Sequence, residues 1–309
     1  MIGEKIHDVV IVGAGPAGLT AALICARSGL SVQVIGKITG GQAAEAPLIE
    51  NYPGFKSITG IELTKIFAEQ VESVGVTILN DEVLKVEQVG DLFEVRTSFN
   101  GDFKCRSVIL AIGAEPRKLG VKGEEEFSGR GVSYCATCDG PLFKGKDVAV
   151  VGGGIPALSA ALYLSGLAKN VYLIHDKGTF RAFKTLVDKV NEKANIVKKL
   201  NTTLLEIGGK KFVEWIKIRD NESGKEEEVK VSGVFVEIGK RINSDFLRGF
   251  VELDSRGQIV IDSLCRTSRR GVFAAGDATT TPYKQVIIAA GEGAKAAMSA
   301  YEYLKGAMV

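Results

Sequence analysis

An α/β chain with two three-layer nucleotide-binding units is what this sequence predicts, and three observations predict it. Short apolar, β-branched runs pass at once into glycine turns twice, at residues 8–18 and 148–157. Each turn opens an Ala- and Leu-rich stretch of helical character, and a second β-branched run follows, the order that builds a parallel sheet. Between the two turns lies Ser133-Tyr134-Cys135-Ala136-Thr137-Cys138-Asp139-Gly140. The second unit therefore carries a dithiol as well as a nucleotide turn.

Composition bounds the rest. The 309 residues exceed one average domain and fit two, and 45% apolar content provides ample core. With 39 basic and 37 acidic residues, no nucleic-acid or membrane-surface footprint is expected, which leaves small-molecule or protein substrates. No apolar run reaches transmembrane length. Met1-Ile2-Gly3-Glu4-Lys5 leads directly into a strand without a leader pattern, and five cysteines, an odd number, fit a reducing compartment. A cytoplasmic protein is expected.

Asp8-Val9-Val10-Ile11-Val12 reads as a buried parallel strand, Gly13-Ala14-Gly15-Pro16-Ala17-Gly18 as its turn, residues 19–28 as a helix and residues 31–35 as the next strand. In such a Rossmann-like unit the first glycine permits the turn, the second admits a pyrophosphate and the third lets helix and strand close up. Gly36 and Lys37 stand where an acidic residue often holds ribose, so that contact comes from elsewhere. Gly40-Gly41-Gln42 and residues 50–55 read as surface loops, residues 61–74 as an amphipathic helix, and residues 76–79, 83–89 and 93–97 as strands. Residues 107–113 form another buried strand ending in Gly113, and Pro116-Arg117 mark a crossing between domains.

In the second unit residues 148–151 are a strand, Gly152-Gly153-Gly154-Ile155-Pro156-Ala157 the turn, residues 158–165 a helix and residues 171–174 a strand. Asp176 follows about twenty residues after the glycines, where a carboxylate accepts from a ribose 2′-hydroxyl and repels a 2′-phosphate. Residues 180–194 read as a helix, residues 213–219 and 227–230 as a charged hairpin, and residues 234–238 as the closing strand. Residues 271–277 are an apolar strand ending in Gly276-Asp277, residues 278–284 a loop, and Gln285 opens a long helix.

Cysteines three positions apart at a helix start sit one turn from each other, within reach of a disulfide. A helix N-terminus stabilises thiolate, and Asp139, if buried, holds a proton for a leaving sulfur. Tetrahedral zinc needs four ligands; Cys25, Cys105 and Cys265 are scattered singly and His7 and His175 are the only histidines, so no metal site is expected.

Together these stretches resemble the low-molecular-weight thioredoxin reductases over essentially the whole chain. The resemblance rests on residues 13–19, Gly41-Gln42, residues 50–55, residues 131–140, Gly276-Asp277 and residues 284–293. It implies a homodimeric flavoprotein with a discontinuous FAD domain, residues 1–116 and 245–309, and an inserted pyridine-nucleotide-type domain, residues 117–244, carrying the dithiol. By that resemblance Gly13, Gly15 and Gly18, with Pro16 and Ala17 between them, hold the FAD pyrophosphate. Gln42 and Asn51 contact the cofactor, Asp277 its ribitol and Gln285 the flavin edge, with Gly41, Gly113, Gly276, Lys284 and Val286 alongside. Cys138 faces the flavin, Cys135 attacks the partner disulfide and Asp139 is the acid.

The departures fall in the second domain. Ile155 and Pro156 replace the polar pair usual after the family's three glycines, and Ser159 and Ala160 replace two glutamates. His175-Asp176-Lys177 replaces a His-Arg-Arg run that grips the NADPH 2′-phosphate, with only Arg181 retained. Exchanging cation for anion beside a phosphate is worth about a few kcal/mol at short range even at an effective dielectric near 20. Gly152, Gly154, Ala157, Asp176, Lys177 and Arg181 thus form a second nucleotide site expected to favour NADH, or a non-nicotinamide donor, over NADPH. Thioredoxin or a thioredoxin-like protein is the expected partner. A dithiol oxidase using oxygen and a nucleotide-sensing protein without turnover are the alternatives. Rotation of the domains about links near Pro116 and Asn243 is expected.

Overall fold

The structure is a computed structural model that describes residues 6–46 and 49–306. Met1 to Lys5, expected as a lead into the first strand, lie outside the described residues, as do Pro47, Leu48 and the last three residues. The chain divides into two compact units, Met1–Glu115 with Arg241–Val309, and Pro116–Lys240.

In the first unit β1 (Ile6–Val12) runs into α1 (Pro16–Arg27) and β2 (Val32–Gly36). The 3-10 turn Gly41–Glu45 and α2 (Gly60–Ser73) follow, then β3 (Ile78–Asn80), β4 (Val83–Val89), β5 (Leu92–Thr97) and β6 (Asp102–Leu110). Thr59 starts α2 with a capping box, its side chain accepting from Glu62 N while Glu62 reaches back to Thr59 N. The sheet runs β3-β2-β1-β6-β5-β4. β1, β2, β3 and β6 pair in parallel and β4, β5 and β6 antiparallel. Val9, Val10 and Ile11 are fully buried, as a strand covered on both faces requires.

The second unit is entered through β7 (Glu115–Pro116) and continues through β8 (Val132–Ser133), α3 (Ala136–Asp139), β9 (Asp147–Val151), α4 (Ile155–Ser165), β10 (Asn170–Ile174) and α5 (Lys184–Asn191). Next come β11 (Ile196–Lys199), β12 (Thr202–Gly209), β13 (Val213–Asp220), β14 (Glu226–Lys230), β15 (Gly233–Val236) and β16 (Lys240–Arg241). A parallel sheet of order β11-β10-β9-β15-β8 and an antiparallel sheet β12-β13-β14 share the core of Ala149, Ile174, Ile207, Ile216 and Val234.

Back in the first unit, β17 (Val272–Ala274) pairs in parallel with β6, and α6 (Val286–Leu304) closes the chain. α6 lies on α1 through small residues. Ala296, Ala297 and Ala300 join Ala21, Ala22 and Cys25 in one buried cluster. A Cβ on Gly293 would fall 2.1 Å from the Ala17 carbonyl oxygen. That close approach brings the start of α6 toward the turn after β1.

Several elements differ from the sequence reading. The expected helix at 180–194 is only α5, because Arg181 N–H donates to Gly153 O at 2.7 Å and holds the preceding segment in a bridge to the glycine turn. β11 and β12 occupy residues read as connection. Their Lys and Thr content hides period-2 alternation, although Thr202, Leu204 and Ile207 are buried. Gly41 and Gln42 open a 3-10 turn rather than a loop.

Candidate active site

The dithiol hangs from the C-terminal end of β8. Cys135 is the N-cap of α3, a helix of a single turn, and its sulfur is joined to that of Cys138 across a Cα separation of 5.3 Å. Ser133 shapes the entry, its hydroxyl accepting from Cys135 N–H at 3.1 Å. Tyr134 is pinned by its phenol, which donates to the buried Glu124 carboxylate at 3.0 Å. Cys138 N–H donates to Cys135 Sγ at 3.3 Å, and the Thr137 hydroxyl lies 3.5 Å from the same sulfur. These groups favour a thiolate on Cys135 once the disulfide opens. Both cysteines are half-buried.

Asp139 sits one residue beyond. Burial raises its carboxyl above the usual range, against a Ser133 hydroxyl bond that lowers it, and Oδ1 is buried without a partner. The three other cysteines carry no such chemistry. Burial pushes the Cys25 and Cys105 thiols up to about 12 and that of Cys265 to about 11. Among the described residues no group of three or more Cys, His, Asp or Glu can hold a metal.

The second cluster belongs to the first unit. Gly13 turns the chain at φ +115, and a Cβ there would strike the Ala111 carbonyl oxygen at 2.1 Å, while one on Gly18 would strike Gly13 O at 1.9 Å. Gly15 differs. Its added Cβ would meet nothing nearer than Gly41 Cα at 4.0 Å, and no side chain caps α1 behind it. The first-turn N–H groups of Ala17 and Gly18 therefore remain for a ligand, while Pro16 at the first helical position gives up a donor that no helix bond uses. A bare, uncapped helix start with room for backbone approach fits a pyrophosphate.

Around it, Gly113 leaves β6 at φ +66 into open space and Gln42 is exposed on its 3-10 turn. Asn51 Nδ2 donates to Gln285 Oε1 at 2.8 Å, tying the 50–55 loop to the N-cap of α6. Lys284 Nζ donates to Thr279 O at 2.8 Å, half-buried Asp277 follows Gly276, and Val286 packs on Ile49, Ile58 and Leu63. The sequence reading missed Glu292. It is buried on α6, its Oε2 accepting from Gly276 N–H at 2.8 Å and its Oε1 accepting from the Thr281 hydroxyl, so it holds the Gly276-Asp277 turn in place. A carboxylate amid the small and apolar residues of the first half of the helix was the available signal.

A family model described as pyridine nucleotide-disulphide oxidoreductase matches residues 7–293. The chain belongs to that family. Among relatives, a component of the alkyl hydroperoxide reductase of Pseudomonas putida is 43% identical over 307 residues, covering 97% of this chain and 59% of that protein. The chain thus spans little more than half the length of that relative. Thioredoxin reductase of Treponema pallidum is 42% identical over 303 residues, covering 97% of this chain and 98% of that one. The structure of thioredoxin reductase from Streptococcus pyogenes superposes with a TM-score of 0.94 at 38% identity, covering 98% and 100% of the two chains. The two-unit α/β fold is that of these disulphide oxidoreductases.

The second glycine turn of this oxidoreductase chain is built differently from the first. Gly152 turns at φ +144 against the Glu237 carbonyl, which an added Cβ would meet at 2.4 Å. Gly154 caps α4 without a side-chain bond, and Ala157 is buried beneath. Pro156 is the second helical residue, so the N–H of that position is missing from the anion-facing end. His175 lies over Gly153, where a Cβ would come within 2.2 Å of its Nε2. Asp176 Oδ1 is 3.2 Å from His175 Nδ1 and Oδ2 is 3.3 Å from Lys177 Nζ. The cation beside the expected ribose end is already paired with a carboxylate, and Arg181 contributes its backbone to the turn while its side chain is exposed.

Proposed function

We propose that this chain is an FAD-dependent reductase of protein disulfides, with thioredoxin or a thioredoxin-like protein as partner and a homodimer as the working unit. The observation that carries the reading is the Cys135–Cys138 disulfide, half-buried at the N-cap of α3 beside a half-buried acid whose carboxyl is raised by desolvation. The relatives named thioredoxin reductase support the partner. The bare, uncapped start of α1, with Asn51 and Gln285 joined nearby, supports FAD in the first unit. FAD supplies the two-electron relay from donor to dithiol when bound.

The chain's own residues do the exchange. Once the disulfide is reduced, Cys135 is the nucleophile, its thiolate steadied by Cys138 N–H and the Thr137 hydroxyl. It attacks the partner disulfide and forms a mixed disulfide, releasing one partner sulfur. Asp139, kept protonated more readily by its burial, gives that leaving sulfur its proton. Cys138 then attacks Cys135, the intramolecular disulfide re-forms and the second partner sulfur leaves.

For the donor, NADH is favoured over NADPH. Asp176 faces outward where a 2′-phosphate would need a cation, and Lys177, the neighbouring cation, is paired with it. Two relatives at 39% and 38% identity bear the name NADH dehydrogenase. The missing N–H at Pro156 leaves the second turn a weaker anion site than the first, so a non-nicotinamide donor is the second reading. Steady-state reduction of thioredoxin with each nucleotide tests this. The expected result is a higher kcat/KM with NADH, and a value with NADPH equal to or above it would refute the donor assignment.

A further inference from the structure

The dithiol has a second carboxyl group beside it that the exchange above does not use. β15 pairs with β8 in parallel, Val234 with Val132 and Phe235 with Ser133. Glu237 is the first residue past the end of β15, and Cys135 lies two residues past the end of β8, so both leave the same edge of the sheet. Glu237 N–H donates to Val151 O at 2.8 Å, and its carbonyl packs on Gly152, so the backbone is fixed on both sides. Its side chain turns toward the dithiol helix, where the carboxylate accepts from the N–H of Ala136, the residue between Cys135 and the rest of α3. The C-terminal ends of parallel strands are where such folds place their chemistry.

We propose that Glu237 is a positioning residue for the redox dithiol, whose carboxyl group both caps the dithiol helix and takes up a proton as the disulfide is reduced. Two electrons break the Cys135–Cys138 bond and leave two thiolates; solvent protonates one of them. The negative charge of the other raises the proton affinity of the adjacent Glu237 carboxylate, which binds a proton from water. When the dithiol gives its electrons to a disulfide substrate, that proton is released.

Burial supports this coupling by pushing the Glu237 carboxyl up to about 7, against the Ala136 N–H bond and the Lys240 charge, which both lower it. The groups bearing on it are few. Lys240 lies three residues on, and α3 contributes the two cysteines and Asp139, while Val151 and Gly152 beside it carry no charge.

The inference rests on the dithiol exchange proposed above, and the test separates the two. Glu237→Gln keeps an acceptor for Ala136 N–H and removes the charge. The wild type and E237Q are reduced with a small phosphine, freed of reductant, and alkylated with iodoacetamide from pH 5.5 to 9. In the wild type the ionised carboxylate above pH 7 suppresses the thiolate. E237Q is therefore expected to react about threefold to tenfold faster near pH 7.5, with the profiles converging below pH 6. Superimposed profiles would overturn the role of Glu237 and leave the dithiol exchange standing. A second readout needs no kinetics. The infrared carboxylic-acid band at pH 7 should grow on reduction of wild-type disulfide and lose that change in E237Q. An unchanged band difference in E237Q would also overturn the proposal. A wild-type disulfide that no phosphine opens would instead refute the exchange reading itself.

Discussion

Replacing Glu237 by Gln has a consequence for stability whose size and sign follow from the structure. The carboxyl group is raised from 4.5 to about 7, chiefly by burial. A folded-state value above the unfolded one means the unfolded chain releases this proton first. The contribution to stability is therefore full below about pH 4.5, declines as pH rises toward 7 and is lost above it. At 1.36 kcal/mol per unit, the gap corresponds to roughly 3 kcal/mol. E237Q should match the wild type near pH 4 and exceed it by up to about 3 kcal/mol at pH 8. The single tryptophan, Trp215, lies on β13 in the same unit, so its fluorescence during urea unfolding reports on the part of the chain concerned. Parallel stability curves from pH 5 to pH 8, or an E237Q protein weaker at pH 8, would refute the reasoning.

Four further outcomes are expected. Gly15→Ala should leave the circular dichroism of the chain unchanged, because its Cβ meets only Gly41 Cα at a van der Waals distance of 4.0 Å, and should lower bound flavin measured by absorbance; G13A, whose Cβ meets a carbonyl at 2.1 Å, should lose both. Glu292→Ala strips the buried Gly276 N–H and Thr281 hydroxyl of their acceptor and should destabilise the first unit by about 2 to 4 kcal/mol, read by thermal unfolding. Asp176→Arg should shift the NADH to NADPH ratio of kcat/KM toward NADPH by about tenfold or more, with no change in thiol reactivity. Native oxidised protein should present no thiol to a chromogenic disulfide reagent, and reduction should expose two, since Cys25, Cys105 and Cys265 are buried.

The parts of the fold legible in the sequence were those in which one local pattern decides the outcome. Asp8 to Val12 is apolar without interruption after its Asp because β1 is covered on both faces, and the glycines at 13 and 18 follow it because backbone meets backbone there. Cys135 and Cys138 announced themselves by spacing. What escaped depends on contacts far apart in the chain. The helix expected from residue 180 starts only at Lys184 because Arg181 is held by Gly153. Glu292 looked like an interruption of an apolar helix, and only its partners at Gly276 and Thr281 give it a role. Glu237 reads in sequence as part of an apolar run. The pairing of β15 with β8 puts the ends of the two strands side by side, and the bond from Ala136 N–H ties its carboxyl group to the dithiol helix. No helix among the described residues is long and apolar enough to cross a membrane, in keeping with the absence of such a run in the sequence.

The central claim is that a flavin and the Cys135–Cys138 disulfide act in series within this chain. Anaerobic titration of the FAD-loaded protein with dithionite, followed by absorbance, counts the electrons each chain accepts. The account predicts about four, two for the flavin and two for the disulfide, falling to about two in a variant with both Cys135→Ser and Cys138→Ser. Two electrons in the unmodified protein, with no change in the double variant, would contradict it.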